Sequence, residues 1–397
     1  MISVDEARAR IVAGLKPVAV ETVGLAQAHG RVLAKPVLAR LSMPPADVSA
    51  MDGYAVRAGD ATAGASLRLI GEAAAGHPFS GQMGPGEAVR VFTGSVIPAG
   101  ADAVLIQENA NAEAGFVRVT EPLTARHVRA EGEDFAVGDE VISAGRRLSI
   151  RDIGVAGAAG YPWLSVHRKP RVAILCTGDE ISLPGEPVPA GGITNSNAAM
   201  LAAFVTAHGA EALLLPIARD TEDAVAEGAE AARGADLLVT TGGASVGAHD
   251  LVQAGLTRRG FALDFWKIAM RPGKPLIFGS INAMPVLGLP GNPVSAYVCA
   301  TLFLGGAVTA LGGLAYQAPK FVKARLGANM KANDHREDYV RAVLAENEDG
   351  WLATPLPVQG SGMLRALARA DALIRRAPFA PAAKAGDFVD ILPLDGS

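Results

Sequence analysis

Cysteine is almost missing: Cys176 and Cys299 are the only two in 397 residues, and neither sits at metal-ligand spacing. That leaves no disulfide framework and no thiolate metal motif, so a reducing cytoplasm is the expected setting. Surplus charge is missing too. Charged residues make up 19% of the chain and the net charge is −4, which gives no reason to expect nucleic acid. The N-terminus is acidic early, at Asp5 and Glu6, and has no signal-peptide apolar region. Neither a GxxxxGK[ST] loop nor a GxGxxG turn occurs, which excludes a Walker loop and a dinucleotide fingerprint. Between Pro275 and Pro319 there is no Asp, Glu, Lys or Arg, and Ala296–Tyr316 is long enough to span a bilayer. The glycine pairs at 305–306 and 312–313 weaken such a helix, and no charge asymmetry flanks it. It is expected to be a core or subunit-interface helix, with no membrane involved.

Half of the residues are apolar, enough for two to four domains. Ser3 and Glu6 form a capping-box pattern before a helix with Ala7, Ile11 and Leu15 on one face. From about 19 to 165, short apolar runs separated by Gly and Pro turns predict a β-rich region, with one helical stretch at Arg151–Gly160. After Pro170, strand-like and helical runs alternate, which predicts βαβ units around a parallel sheet with helices on both faces. Ligands of such sheets bind at the carboxyl ends of the strands. From about Pro319 short strands return, as for a small β-barrel.

Chemistry-bearing loops follow the predicted strands. Leu237–Thr241 runs into Gly242-Gly243-Ala244-Ser245-Val246-Gly247, where three glycines can turn N–H groups outward as an anion nest beside Asp250. Val172–Cys176 leads to Asp179 and Glu180, and Asp220 follows another strand. Leu263–Ile268 leads to Arg271, Lys274 and Pro275 on a stiff Pro-Gly turn. Pro285–Leu287 leads to Gly288-Leu289-Pro290-Gly291-Asn292-Pro293-Val294-Ser295, an anion site at a helix N-terminus. Carboxylates on some loops and cations or N–H donors on others suit a phosphate ester carrying Mg²⁺.

Eight separated motifs then resemble one family from the first helix to the last strand. They are Ser49–Val56 (SAMDGYAV), Phe92–Gly94 with Pro98–Gln107 (FTG…PAGADAVLIQ), Gly132–Phe135 (GEDF), Val172–Glu180 (VAILCTGDE), Thr241–Asp250 (TGGASVGAHD), Trp266–Pro275 (WKIAMRPGKP), Gly288–Ser295 (GLPGNPVS) and Gly360–Leu364 (GSGML). The chain is similar to the MoeA-type molybdopterin molybdenumtransferases, related to the C-terminal half of gephyrin. The resemblance implies insertion of molybdate into adenylyl-molybdopterin, Mg²⁺-dependent, with release of AMP and molybdenum cofactor. It implies a central α/β molybdopterin-binding domain, a β-rich lasso domain and a small C-terminal β-barrel in an elongated homodimer. The expected divisions are 1–18; 19–40 with 140–167; 41–139; 168–317; and 318–397.

Carried over by motif, Asp52 would reach the active site from the partner subunit, and Thr93 would line the same cleft. Glu180, Asp220 and Asp250 would surround Mg²⁺ and pterin, and Gly242, Gly243, Ser245 and Gly247 would cradle phosphate. Lys267, Lys274, Arg271, Pro275 and Ser295 would surround phosphate or molybdate, with Arg341 and Ser361 supplied by the C-terminal domain. Two departures stand out: Arg271 replaces a frequent Lys, changing donor geometry, and Leu304-Gly305-Gly306-Ala307 replaces a frequent Arg-Pro. Expected partners are a second copy, the molybdopterin adenylyltransferase, and molybdoenzyme apoproteins or their chaperones. The alternatives are the adenylyltransferase itself, a non-catalytic gephyrin-like scaffold, and a tungsten-inserting paralogue.

Overall fold

A computed structural model describes residues 1–242, 248–347 and 350–394. It contains two compact units, one of Met1–Glu21, Gly30–Val32 and Val166–Ser397, the other of Thr22–His29 and Leu33–Ser165.

The first unit opens with α1 (Val4–Ala13), capped by Ser3, whose Oγ accepts from Glu6 N at 3.1 Å. Val4, Ala7 and Ile11 are buried, and Leu15 packs against the same cluster.

The second unit is built on six strands: β1 (Gly53–Val56), β2 (Ser66–Ala73), β3 (Glu87–Val91), β4 (Ala103–Ile106), β5 (Ala110–Glu113) and β6 (Phe116–Val119). Their order is β4-β1-β3-β2-β6-β5. Alternation along β1 sends Tyr54 and Val56 into one apolar cluster and Ala55 into another. Gly53 starts β1 because a Cβ there would lie 2.1 Å from the Leu105 carbonyl oxygen. The same unit holds α2 (Ile150–Ala158), closed by a reciprocal Ser149–Asp152 capping box.

The α/β part of the first unit runs β7 (Arg171–Cys176), α3 (Ser196–Ala207), β8 (Glu211–Leu214), α4 (Glu222–Ala231), β9 (Leu237–Thr241), α5 (Ala248–Thr257), β10 (Phe261–Trp266), β11 (Ile277–Ile281) and β12 (Met284–Leu289). Strand order is β8-β7-β9-β12-β11-β10. Val172, Ile174 and Cys176 enter one core and Ala173 and Leu175 the other, which is why β7 reads as an unbroken apolar run.

The sheet corrects the all-parallel expectation. β8, β7, β9 and β12 are parallel, but β11 pairs antiparallel with both β12 and β10. The cause is a tight hairpin at Asn282-Ala283, both at positive φ (47° and 70°), which leaves no room for a crossover helix.

Within the charge-free stretch, after β12, a continuous helical rod follows: α6 (Pro293–Cys299), a π-helical turn at Ala300–Leu304, and α7 (Gly305–Leu311). Pro293–Leu311 is long and apolar enough to cross a membrane, yet 72% of it is buried inside the protein. Leu302, Phe303 and Leu304 are fully buried in the same core as α1. Each such side chain is worth about 1.5–3 kcal/mol, so the rod is a core element.

The last strands are β13 (Val322–Leu326), β14 (Glu337–Asn347), β15 (Gly350–Pro355), β16 (Ala372–Arg376) and β17 (Phe388–Pro393). They close as β14-β15-β13-β17-β16-β14, a five-stranded barrel around Leu326, Ala342, Ala353, Ile374 and Ile391. The long strand β14 makes closure possible, since it pairs with β15 through Ala342–Asn347 and with β16 through Asp338–Ala342.

Candidate functional site

The chain leaves β7 toward β8 on one side and later returns to β9 on the other. That reversal puts a crevice at the carboxyl ends of β7 and β9, the place where open α/β sheets bind ligands. A cleft of about 680 Å³ lies there, within the range of small-molecule sites. Its walls come from five places: Cys176, Thr177, Gly178, Glu180 and Ile181 at the end of β7 and after it, Ile193, Thr194 and Asn195 leading into α3 with Ser196 and Asn197, Asp220 before α4, Thr241 and Gly242 at the end of β9, and Pro290, Gly291, Asn292, Pro293 and Ser295 before and within α6. Pro275, Gly362 and Leu364 complete the wall.

Two glycines make this convergence possible. Gly242 has φ +114°, and a Cβ there would sit 2.1 Å from the Thr177 carbonyl oxygen. A Cβ on Gly291 would sit 3.2 Å from the Gly242 Cα, so two backbones pass in near contact. Thr177 N also donates to the Thr241 carbonyl at 3.0 Å, tying the ends of β7 and β9 together.

The negative side is formed by Glu180 and Asp220. Asp220 N donates to Asp179 Oδ1 at 3.3 Å, which holds the two loops together. Among the described residues no three His, Cys, Asp or Glu side chains gather as a metal cluster. Gly243, Ser245 and Gly247, and the side chain of Asp250, lie outside the described residues; Asp250 itself falls in the first turn of α5.

Opposite the carboxylates stands the start of α6. Asn292 caps this helix without a side-chain hydrogen bond, Pro293 brings no N–H, and Ser295 is 5% exposed. The Val294 N–H donates to the Ser361 carbonyl at 3.0 Å, which docks the Gly360–Leu364 segment on the helix end. Lys274 is exposed next to Pro275 and makes no ion pair among the described residues, but it is itself not among the residues that line the cleft.

Three other cations are already engaged. Arg271 bonds Asp338 and lies 3.4 Å from Asp334, so its guanidinium ties the loop to the barrel. The backbone does the same, with Met270 and Arg271 pairing in parallel with Glu337 and Asp338. Burial pushes the Asp338 carboxyl up, opposed by the Arg271 bond. Arg341 is 1% exposed, and its guanidinium donates to the carbonyls of Met363, Val358 and Gly360 and to Gln359 Oε1. Lys267 has φ 76° and places Nζ 3.5 Å from the Trp266 ring centre, and it does not line the cleft.

Asp52 and Thr93 lie in the second unit and form one small device. The backbone N–H and the hydroxyl of Thr93 both donate to Asp52 Oδ1 at 2.8 Å. These bonds, with nearby Arg90, hold the Asp52 carboxyl below its ordinary range. Arg90 in turn donates to Gln107 Oε1 at 2.8 Å.

Several cleft residues had no functional signal in the sequence. Asn195, Ser196 and Asn197 open an apolar helix, so their polarity reads as capping, and Asn195 Oδ1 does accept from Ala198 N at 3.1 Å. Asn197 faces the cleft for another reason, which only the neighbouring loops reveal.

Known proteins resemble the chain throughout. Three family descriptions match in sequence: the MoeA N-terminal region (domain I and II) over residues 2–160, a probable molybdopterin binding domain over 173–310, and the MoeA C-terminal region (domain IV) over 323–394. The molybdopterin molybdenumtransferase of Haemophilus influenzae is 32% identical, over 100% of this chain and 99% of its own. That of Nostoc sp. is 38% identical over 81% of this chain and 76% of its own. Among solved structures, the molybdopterin biosynthesis MoeA protein of Pyrococcus horikoshii superposes with TM-scores of 0.87 and 0.83 at 28% identity. The matches cover 100% and 99% of this chain and all of those chains.

Proposed function

The chain belongs to the MoeA family of molybdopterin molybdenumtransferases, and from that premise we propose how its own residues carry out the insertion of molybdate. It is a transferase of molybdenum cofactor biosynthesis. The carrying observation is the cleft at the β7/β9 switch point, with carboxylates on one wall and an uncapped helix start on the other.

Adenylyl-molybdopterin lies across this switch point, its phosphates against the backbone at Gly242 and the glycine-rich segment that follows. Molybdate, a doubly charged oxyanion, sits at the start of α6. There Ser295, the helix N-terminus and Lys274 offer donors and positive charge in a partly dry site. Arg341 contributes by holding the 358–363 segment, so that Ser361 stays docked on Val294. Arg271 acts similarly, fixing the loop that carries Lys274 and Pro275.

The donor set fits Mg²⁺. This ion is usually held by one or two carboxylates together with substrate phosphates, and Glu180 and Asp220 already share the cleft. They would hold it together with Asp250. When bound, Mg²⁺ offsets the charge that builds as the phosphoanhydride breaks and AMP leaves. Asp52, kept ionised by Thr93, is delivered to the cleft of a second copy in a homodimer. The finer division of the chain at 18, 40, 139, 167 and 317 and a cytoplasmic setting belong to the same proposal.

The test is AMP release from adenylyl-molybdopterin and Mg²⁺, with and without molybdate. Wild type should release AMP in a molybdate-dependent way, and Asp52→Ala should lose about 100-fold or more in rate. A folded wild type that releases no AMP sinks the reading.

A further inference from the structure

One corner of the cleft has hydrogen-bonding capacity that neither phosphate nor molybdate can satisfy in full. The Thr241 hydroxyl donates to the Pro290 carbonyl at 3.1 Å, so its oxygen can only accept from a further neighbour. Asn197 Nδ2 donates to that oxygen at 2.9 Å and to the Gly291 carbonyl at 2.8 Å. A carbonyl needs a donor, so the amide orientation of Asn197 is fixed by Gly291. Its Oδ1 is therefore turned away from both, buried and without a partner among the described residues. The Thr177 hydroxyl, in a residue 1% exposed, is also buried and has no partner among the described residues. Both residues line the cleft at the ends of β7 and α3, and a Cβ on Gly242 would lie 2.8 Å from Thr177 Oγ1.

Leaving such groups unsatisfied costs about 1–3 kcal/mol each, so two together in one cleft point to a ligand that completes them. Asn197 Oδ1 only accepts, and Thr177 Oγ1 can accept or donate. Phosphate and molybdate are acceptors at neutral pH and would leave Asn197 Oδ1 empty. We propose that Asn197 and Thr177 form the specificity contact for a neutral heterocyclic edge that carries an N–H donor. This rests on the molybdenumtransferase reading and adds a recognition element for the substrate's ring portion. Both ring systems of adenylyl-molybdopterin, pterin and adenine, have that chemistry.

Asn197 also holds Thr241 and Gly291, so the cleaner test is at Thr177. Thr177→Val removes the hydroxyl at nearly constant volume, and Thr177→Ser keeps it. Affinity for adenylyl-molybdopterin is measured by calorimetry, with thermal melts to confirm folding and the molybdate KM as control. The expected result is a roughly tenfold weaker affinity of Thr177→Val for adenylyl-molybdopterin, recovery to within about threefold in Thr177→Ser, and an unchanged molybdate KM. The same titrations with adenosine and with inorganic pyrophosphate separate ring from phosphate: an equal loss for adenosine places adenine at the pair, unchanged affinity for both places pterin there, and an equal loss for pyrophosphate overturns the ring assignment. A Thr177→Val protein that melts like wild type and binds adenylyl-molybdopterin within twofold of it overturns the proposal. Wild type without molybdate-dependent AMP release would instead overturn the functional reading, whatever the Thr177 variants bind.

Discussion

At the scale of single residues, the cleft depends on two positions that admit no alternative. Gly242 combines a positive φ with a carbonyl 2.1 Å from where a Cβ would stand. Gly242→Ala is expected to cost about 2 kcal/mol or more in stability and to abolish substrate binding, read by thermal melts and calorimetry. Arg341 is the second. Its removal in Arg341→Met strips a donor from the carbonyls of Val358, Gly360 and Met363, leaving that of Val358 with no other donor among the described residues, and should cost about 1–3 kcal/mol. Arg341→Lys should not restore it, because one ammonium cannot span the same acceptors. A Lys variant as stable as wild type would contradict that role. The family resemblance carried Arg341 over as a site residue of the C-terminal domain but showed none of its neighbours. Its acceptors are backbone carbonyls 17 to 22 residues downstream, a relation no local pattern encodes.

At the scale of elements, most of the architecture was legible because its signals are local. Apolar runs gave β7 and β9, and a cap gave α1. The antiparallel β11–β12 hairpin was not, because Asn282-Ala283 lacks the glycine that usually marks such turns. The destination of Arg271 was not either, since Asp338 is 67 residues away. The loop-to-barrel link it makes includes Asp334, held well below the usual carboxylate range first by Arg336 and then by Arg271. A carboxylate with a depressed folded pKa stabilises above its unfolded value and loses that contribution as pH falls toward the folded one. Asp334→Asn should therefore lower the melting temperature by a constant amount from pH 7 to about pH 5. The difference should shrink below about pH 4, where the unfolded carboxylate takes up its proton. A difference that grows on acidification would contradict this.

At the scale of the whole molecule, the proposed site draws on two copies of the chain. Asp52 and Thr93 sit in one compact unit and the switch-point cleft in the other. Mixing Asp52→Ala with Lys274→Ala protein, each inactive alone, should restore activity in heterodimers. In those, the Asp52→Ala chain supplies an intact cleft and the Lys274→Ala chain supplies Asp52. No recovery after verified subunit exchange would place Asp52 in the cleft of its own chain. Insertion of molybdenum at the β7/β9 cleft is tested by measuring the molybdenum content of the pterin product against the AMP released. Wild type is predicted to give equimolar molybdenum and AMP, with both lost together in Lys274→Ala. AMP without molybdenum in the pterin would contradict the account.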